Sequence, residues 1–284
     1  MITTITELFC YDFFRNAILA AILSSIVCGI IGTYIVAKRL VFISGGITHA
    51  SFGGIGMAYF LGFDPIIGAA IFALLSAFGI EFLSGRIEIR QDSAIGVFWS
   101  LGMAVGIIFI YLSAGYSPNL MSYLFGSILT VNSLDLWLML LLAAVVGLFF
   151  LLFFRTILYV AYDEEYARTK RLPVTFLNYL MLSLVALTIV LNIRTVGVIL
   201  VISFLTLPQI TANTFTQNFR KLIFYSILVA ILGSVGGLIV SYYLNLPSGP
   251  VIICCFVGIF AVARFLQWFM VHLRVNKINK VNIF

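Results

Sequence analysis

The chain has 284 residues, of which 63% are hydrophobic and only 9% are charged, with a net charge of +6. Soluble domains carry roughly 25% charged residues, so this composition excludes a soluble protein and predicts an all-α, polytopic membrane protein. Its polar connections are short, and its basic residues lie between apolar runs, where they set orientation. We therefore expect one transmembrane domain over 1–284, embedded in membrane lipid, with no nucleic-acid partner.

The apolar segments predict the number of membrane crossings. A crossing needs about 20 mostly apolar residues, and by this measure the chain offers about eight or nine segments. The nine segments are 15–37, 42–62, 66–85, 93–113, 134–154, 174–193, 195–215, 222–243 and 250–271. The region 174–215 is the weakest part of this prediction, because only 192–195 separates two segments. A short or re-entrant segment there is the alternative.

The distribution of Lys and Arg predicts the orientation of the chain. If the connections alternate between the two sides, one side receives most of the basic residues, while Arg15 and Arg194 fall on the other. This places the N-terminus outside and the C-terminus in the cytoplasm. An even number of crossings would instead move the N-terminus inside. The basic side carries Lys38, Arg39, Arg86, Arg90, Arg155, Arg168, Lys170, Arg171, Arg220, Lys221, Arg274, Lys277 and Lys280.

The stretch 43–56, ISGGITHASFGGIG, places a histidine among small residues inside an apolar segment. On a helix, positions four apart share a face, so Gly45, His49 and Gly53 form one row. Small residues in such a row let another helix approach closely in lipid. Because a polar side chain at membrane depth is costly when it faces lipid, His49 is the first candidate for a functional residue. The alternative is that His49 only hydrogen-bonds across a helix interface.

The longest polar segment is 155–173, and it holds the acidic cluster Asp163, Glu164 and Glu165. Asp163 has the position of an N-cap, with the two glutamates in a first turn and Arg168 towards the C-terminal end. A short capped helix at about 160–173 would be a docking element for a cytosolic partner. An ordinary solvated loop is the alternative.

Two later segments contain candidate pathway residues. Pro208 interrupts the segment 195–215 and Gln209 supplies polar atoms beside it, a combination found in broken helices along transport pathways and also in simple packing kinks. The segment 238–250 ends in a Pro/Gly-rich turn that contains Ser248, a candidate for an outer gate. Tyr242 and Tyr243 in the same segment are typical of membrane-interface anchors.

Four motifs in this order resemble one family. VFISGGITHASFGGIG resembles the histidine motif of the metal-type ABC transporter permeases, which import zinc, manganese or iron. YDEEYARTKRLP is similar to the cytoplasmic coupling element of that family. TVGVILVISFLTLP and SYYLNLPSGP resemble its late motifs, and the likeness covers roughly residues 15 to 271.

The resemblance implies a homodimeric permease in a bacterial inner membrane, with two cytosolic ATPase subunits and an extracytoplasmic metal-binding protein. It implies that His49 contributes to a metal site on the transport path, and that the metal is the substrate and not a permanently bound cofactor. Many members of the family have an aspartate four residues before this histidine, where this chain has Gly45. Imidazole without a carboxylate favours zinc over manganese, so zinc is the preferred prediction, with manganese or iron as alternatives.

Two other functions stay open at the sequence level. The same architecture moving a metal chelate is one, and an ion-coupled carrier working alone is the other. A coupled carrier usually places several ionisable residues within its spans, whereas here His49 stands almost alone. The chain contains no GxxxxGK[ST] sequence, so ATP hydrolysis would belong to a separate chain and this protein would not itself be an enzyme.

Overall fold

The computed structural model describes residues 10–113, 126 and 128–281, with side chains left out at 271 and 273–281. These residues form helices and contain no strand. In chain order the helices are α1 Asp12–Ala37, α2 Val41–Leu61, α3 Pro65–Arg86, α4 Gln91–Leu112, α5 Ser133–Tyr162, α6 Glu164–Thr169, α7 Val174–Val196, α8 Val198–Phe204, α9 Leu207–Asn213, α10 Phe219–Leu244 and α11 Ser248–Val281. A 3-10 turn, Ile128–Thr130, precedes α5.

Within the described part of the chain, 7 helices are long and apolar enough to cross a membrane: α1, α3, α4, α5, α7, α10 and α11. The multi-pass prediction is therefore confirmed, but the count of eight or nine crossings is not. Helix α2 has 21 residues, five of them glycines, and is not among these 7 helices. The predicted segment 195–215 is divided into the two short helices α8 and α9. A connection predicted near 117–119 lies outside the described residues.

Helix α1 forms the centre of the bundle. It packs against α5, α7 and α10, and most of its second half is buried. Helix α2 lies between α3 and α4, with which it makes the most extensive helix contacts in the described chain. Helix α3 also packs against α7, so the α2–α3–α4 group is joined to the bundle around α1.

Polar contacts mark the two ends of this bundle. At one end, Lys38 after α1 meets Glu164 of α6 at 2.6 Å. At the other end, Arg194 of α7 forms an ion pair with Asp135 of α5, with Nε 2.5 Å from Oδ1. Near that second pair, Asn16 of α1 donates a hydrogen bond to the carbonyl of Val131. We call these the Lys38 end and the Arg194 end.

The end of α5 corrects one predicted boundary. We expect the fifth segment to stop near residue 154, but the helix continues to Tyr162, with non-helical angles only at Phe153 (φ −108°, ψ 19°). The start of the polar segment 155–173 is thus a helical extension of α5. The short helix expected over about 160–173 is α6 alone, Glu164–Thr169. The polar residues from 155 onwards show where the sequence ceases to be apolar. They do not show where the helix ends, because its backbone hydrogen bonds continue to Tyr162.

Candidate transport site and coupling element

Helix α2 is held against α4 by contacts between backbones. A Cβ added to Gly53 would lie 2.8 Å from the Gly102 carbonyl oxygen, and one added to Gly56 would overlap the backbone of Gly106. On the same contact, a Cβ on Gly102 would overlap Ala50. The prediction that small residues let a neighbouring helix come close is confirmed, because a side chain at these positions would separate the two helices.

His49 lies in the middle of α2 and stacks against Trp99 of α4. The two ring centroids are 4.4 Å apart and the rings are inclined by only 10°. The Nδ1 atom of His49 is buried and has no hydrogen-bond partner. Among the described residues the structure therefore gives no support to the alternative in which His49 serves as a hydrogen bond between helices. Because Nδ1 is buried, an ion bound by this imidazole would have to be held by Nε2.

The surroundings of His49 add few further metal ligands within one chain. The described residues include no group of three or more His, Cys, Asp or Glu side chains that could hold a metal ion. Gly45, one turn before His49, contributes no donor atom. A Cβ at Gly45 would already lie 3.3 Å from Cζ3 of Trp99, a tighter contact than most side chains make. The imidazole is thus the donor that this helix offers, and Trp99 covers the position from which a second donor would come.

Helix α6 is fixed onto the end of α5. The Asp163 side chain accepts a hydrogen bond from the backbone N–H of Tyr166 at 2.8 Å, so the predicted N-cap is confirmed. The Tyr166 ring packs edge-on against Tyr159 of α5, with centroids 5.5 Å apart. Beneath the helix, Ala167 joins a small apolar core with Val160. A helix of one and a half turns is marginal by itself, so these tertiary contacts hold it in place.

The acidic cluster of α6 does not present one surface. Glu164 turns inward to Lys38, whereas Glu165 and Arg168 are exposed. Asp163 is occupied as the cap of the helix. Of the residues predicted for docking, Asp163, Glu165 and Arg168 are exposed to a partner, whereas Glu164 is half-buried in its contact with Lys38.

Glu164 belongs to a polar network that we call the Lys38 cluster: Lys38, Glu81, Glu164 and Asn178. Lys38 Nζ donates to Asn178 Oδ1 at 2.7 Å. Asn178 Nδ2 in turn lies 3.2 Å from Glu81 Oε1 and 3.2 Å from Glu164 Oε1. The cluster connects α6 to the end of α1 and to the helices α3 and α7, so a displacement of α6 bears directly on three membrane-spanning helices.

The environment of the Lys38 cluster changes the proton affinity of its members outside the spans. Partial burial by itself raises the pKa of the Glu164 carboxyl, but the hydrogen bond and positive charge of Lys38 outweigh this and leave that pKa below its ordinary value. Burial pushes the pKa of Lys38 down, yet Tyr34 and Glu164 more than offset it, so the pKa of Lys38 is raised. Both shifts keep the pair charged, as an ion pair requires.

Pro208 and Gln209 lie where the chain breaks between α8 and α9. Pro208 is buried in the first turn of α9, a position at which the missing N–H has no cost. The fully buried Gln209 donates from Nε2 to the carbonyl of Cys28 in α1 at 2.8 Å and to that of Phe204 at 3.1 Å. Gln209 thus satisfies a carbonyl freed at the break and fastens α9 to the central helix.

Ser248 is buried at the start of α11, close to an apolar cavity. The cavity is lined by Ile199, Leu200, Gly249, Pro250, Ile253 and Cys254. Helix α8 contacts both α2 and α11, so the broken segment lies between the helix of His49 and the helix of Ser248. In the described residues, neither Ser248 nor Gln209 has a hydrogen bond to His49.

Comparison with known proteins agrees with this architecture. The model of a family described as "ABC 3 transport family" matches residues 10–267. The chain belongs to this family. The family predicted from the four motifs is thereby confirmed.

Individual relatives match the chain over nearly its whole length. An uncharacterized membrane protein of Synechocystis sp. is 40% identical over 89% of this chain and 90% of its own. The manganese transport system membrane protein MntC of Halalkalibacterium halodurans is 31% identical over 92% of this chain and 89% of its own. Among solved structures, PsaBC from Streptococcus pneumoniae in complex with Fab is 32% identical, with a TM-score of 0.81, covering 92% of this chain and 95% of that one.

Sequence patterns did not single out several residues that the structure of this ABC 3 family member brings together. From the sequence, Lys38 was predicted only to help set the orientation of the chain. Asn178 and Glu81 were not predicted as site residues. Their signal was present, since polar residues near the ends of apolar segments often have specific partners. Trp99 carried no signal at all, because no spacing relates it to His49, which lies fifty positions earlier on another helix.

Proposed function

We propose that the chain is the membrane permease subunit of an ATP-driven importer of divalent metal ions. The observation that carries this proposal is His49, an imidazole with an unpartnered buried Nδ1 in a helix whose glycines pack closely against the neighbouring helices. Neutral imidazole is a common ligand of divalent metals. The relative of known assignment named above is a manganese transport protein, which supports metal as the class of substrate.

The working unit of the proposal is a homodimer in a bacterial inner membrane. Two copies of His49 supply two nitrogens to a transient site, and water or other polar groups complete it. Two cytosolic ATPase subunits drive alternating access, and an extracytoplasmic binding protein delivers the metal. The permease chain binds and moves the ion but hydrolyses no ATP.

We propose zinc as the transported metal. Nitrogen donors without a carboxylate suit zinc better than manganese, which prefers oxygen ligands. The name of the relative MntC points to manganese instead, so both ions belong in any assay.

The proposed topology has nine crossings, with α2 and the broken α8–α9 segment added to the seven apolar helices. The Lys38 end then lies in the cytoplasm and the Arg194 end outside, in agreement with the distribution of basic residues. In this orientation α6 meets the ATPase subunits through Glu165 and Arg168. Pro208 and Gln209 shape the broken segment beside the path, and Ser248 lies near its outer mouth.

Uptake of radioactive zinc and manganese into vesicles holding the permease with its co-expressed ATPase tests the proposal. His49→Ala should abolish uptake while the solubilised dimer stays intact, and His49→Gln should not restore it. His272→Ala is the matched control, because it removes the other histidine of the chain, an exposed residue of α11. Full uptake by a stable His49→Ala complex, or uptake without any ATPase, would contradict the proposal.

A further inference from the structure

The tryptophan stacked on His49 has no part in the function proposed so far. Of the three tryptophans in the sequence, Trp99 is the one whose ring stacks nearly parallel on a histidine ring. The other two, Trp137 and Trp268, are 70% and 55% exposed. About a third of the Trp99 surface is exposed, so the ring covers His49 while part of it stays accessible.

The position of Trp99 is fixed by the backbone contact between its helix and α2. Ile95, one turn before Trp99, fills the space above Gly46, and Gly102, about one turn after it, lies against Ala50. The close contacts on either side of the Trp99–His49 pair thus leave no room for α4 to slide along α2. The close packing of α2 and α4 therefore helps to hold the indole over the imidazole, in addition to the rotamer of Trp99 itself.

The stack determines how His49 can meet an ion. An imidazole without a hydrogen bond at Nδ1 has no polar partner to set the orientation of its ring. In most metal sites a hydrogen bond at the second nitrogen performs this task. Here the parallel contact with Trp99 replaces it, because rotation about the Cβ–Cγ bond would drive the imidazole into the indole. The stack therefore restricts the directions in which Nε2 can point.

We propose that Trp99 is the positioning residue for His49: its indole ring orients the imidazole so that Nε2 is presented to a divalent metal ion. The same ring covers Gly45, so it also keeps a second donor of this helix out of the site. The inference rests on the proposed role of His49 as a metal ligand.

A spectroscopic experiment tests the geometry in the full-length chain reconstituted in nanodiscs. With Trp137→Phe and Trp268→Phe in place, Trp99 is the only tryptophan, and cobalt(II) serves as a divalent ion that quenches indole fluorescence. We expect saturable quenching that zinc competes away, and its loss in His49→Ala. If cobalt binds saturably and His49 is needed for binding, but Trp99 emission does not change, the positioning role is wrong. If His49→Ala keeps the saturable quenching, the metal-ligand role of His49 fails instead.

Zinc binding measured by equilibrium dialysis tests the positioning itself. Trp99→Phe keeps an aromatic ring and should bind zinc within about threefold of the parent, whereas Trp99→Leu should weaken binding roughly 10- to 100-fold, the usual effect of losing a group that orients a ligand. Trp137→Leu, a tryptophan removed elsewhere, is the control and should change nothing. Equal zinc affinity of Trp99→Leu and the parent would overturn the proposal. So would equal losses of zinc affinity in Trp99→Phe and Trp99→Leu that are accompanied by parallel losses of thermal stability.

Discussion

Lys38 Nζ lies 2.6 Å from Glu164 Oε1, which joins the end of the central helix to the short helix α6. The side chains are 17% and 34% exposed, so the pair is shielded from water without being fully buried. Asn178 binds both partners and extends the contact to Glu81 of α3. This arrangement gives α6 a direct mechanical connection to the spans, which a docking helix needs if it is to pass on the motion of an ATPase.

Removing one member of this pair should destabilise the chain. Lys38→Met leaves the carboxylate of Glu164 without its cation, and we expect a cost of about 1–3 kcal/mol, between the values for exposed and buried pairs. The double variant Lys38→Met with Glu164→Gln should recover part of that loss, because no unpaired charge is left. Thermal unfolding of the detergent-solubilised protein measures Lys38→Met, Glu164→Gln and the double variant. Strict additivity of the two single effects would show that the residues do not interact.

The pH dependence of stability follows from the lowered pKa of Glu164. Such a group stabilises the folded chain fully above its ordinary pKa and loses that contribution as the pH falls through the lowered, folded-state value. We therefore expect the wild-type unfolding temperature to fall as the pH decreases below about 4.5, the ordinary value for this group. Glu164→Gln should show a smaller decrease over the same interval. Identical pH profiles for the two proteins would contradict the assignment.

Charge reversal on the outer face of α6 should separate docking from folding. Glu165→Arg with Arg168→Glu changes two exposed side chains, so stability should change by no more than about 0.5 kcal/mol. Binding of the ATPase should weaken, and uptake should fall with it. Glu88→Arg is the matched control, since Glu88 is also exposed in a connection predicted on the same side of the membrane. Undiminished co-purification of the ATPase with the α6 variant would refute the docking surface.

The close contact of α2 with its neighbours predicts a position-dependent effect of adding a methyl group. A Cβ on Gly54 would overlap the backbone of Gly68 in α3, so Gly54→Ala should cost about 1–3 kcal/mol through overpacking. Gly236 of α10 has open space around its missing side chain, and Gly236→Ala should be neutral or slightly stabilising. Thermal unfolding of the two variants provides the comparison. Equal behaviour of both glycines would mean that α2 is not packed as described.

Local patterns were sufficient for several features of this protein. The shortage of charge predicts a helical membrane protein, and most segment boundaries agree with the helices to within a few residues. The small residues around His49 predict a close helix contact, which Gly53 and Gly102 make. Asp163 is recognisable as a cap because its hydrogen bond to Tyr166 spans only three residues. Each of these features depends on residues near one another in the chain, where composition and spacing carry the physical information.

What the tertiary structure alone decided is which distant residues meet. Lys38 and Asn178 are 140 residues apart in sequence, yet they share a hydrogen bond of 2.7 Å. No periodicity predicts such a contact, because it depends on how α1, α3 and α7 pack. The same holds for the stack of Trp99 on His49, and for the inward turn of Glu164 beside the exposed Glu165. Spacing along a helix determines which side chains share a face, but the packing of the helices determines what that face touches.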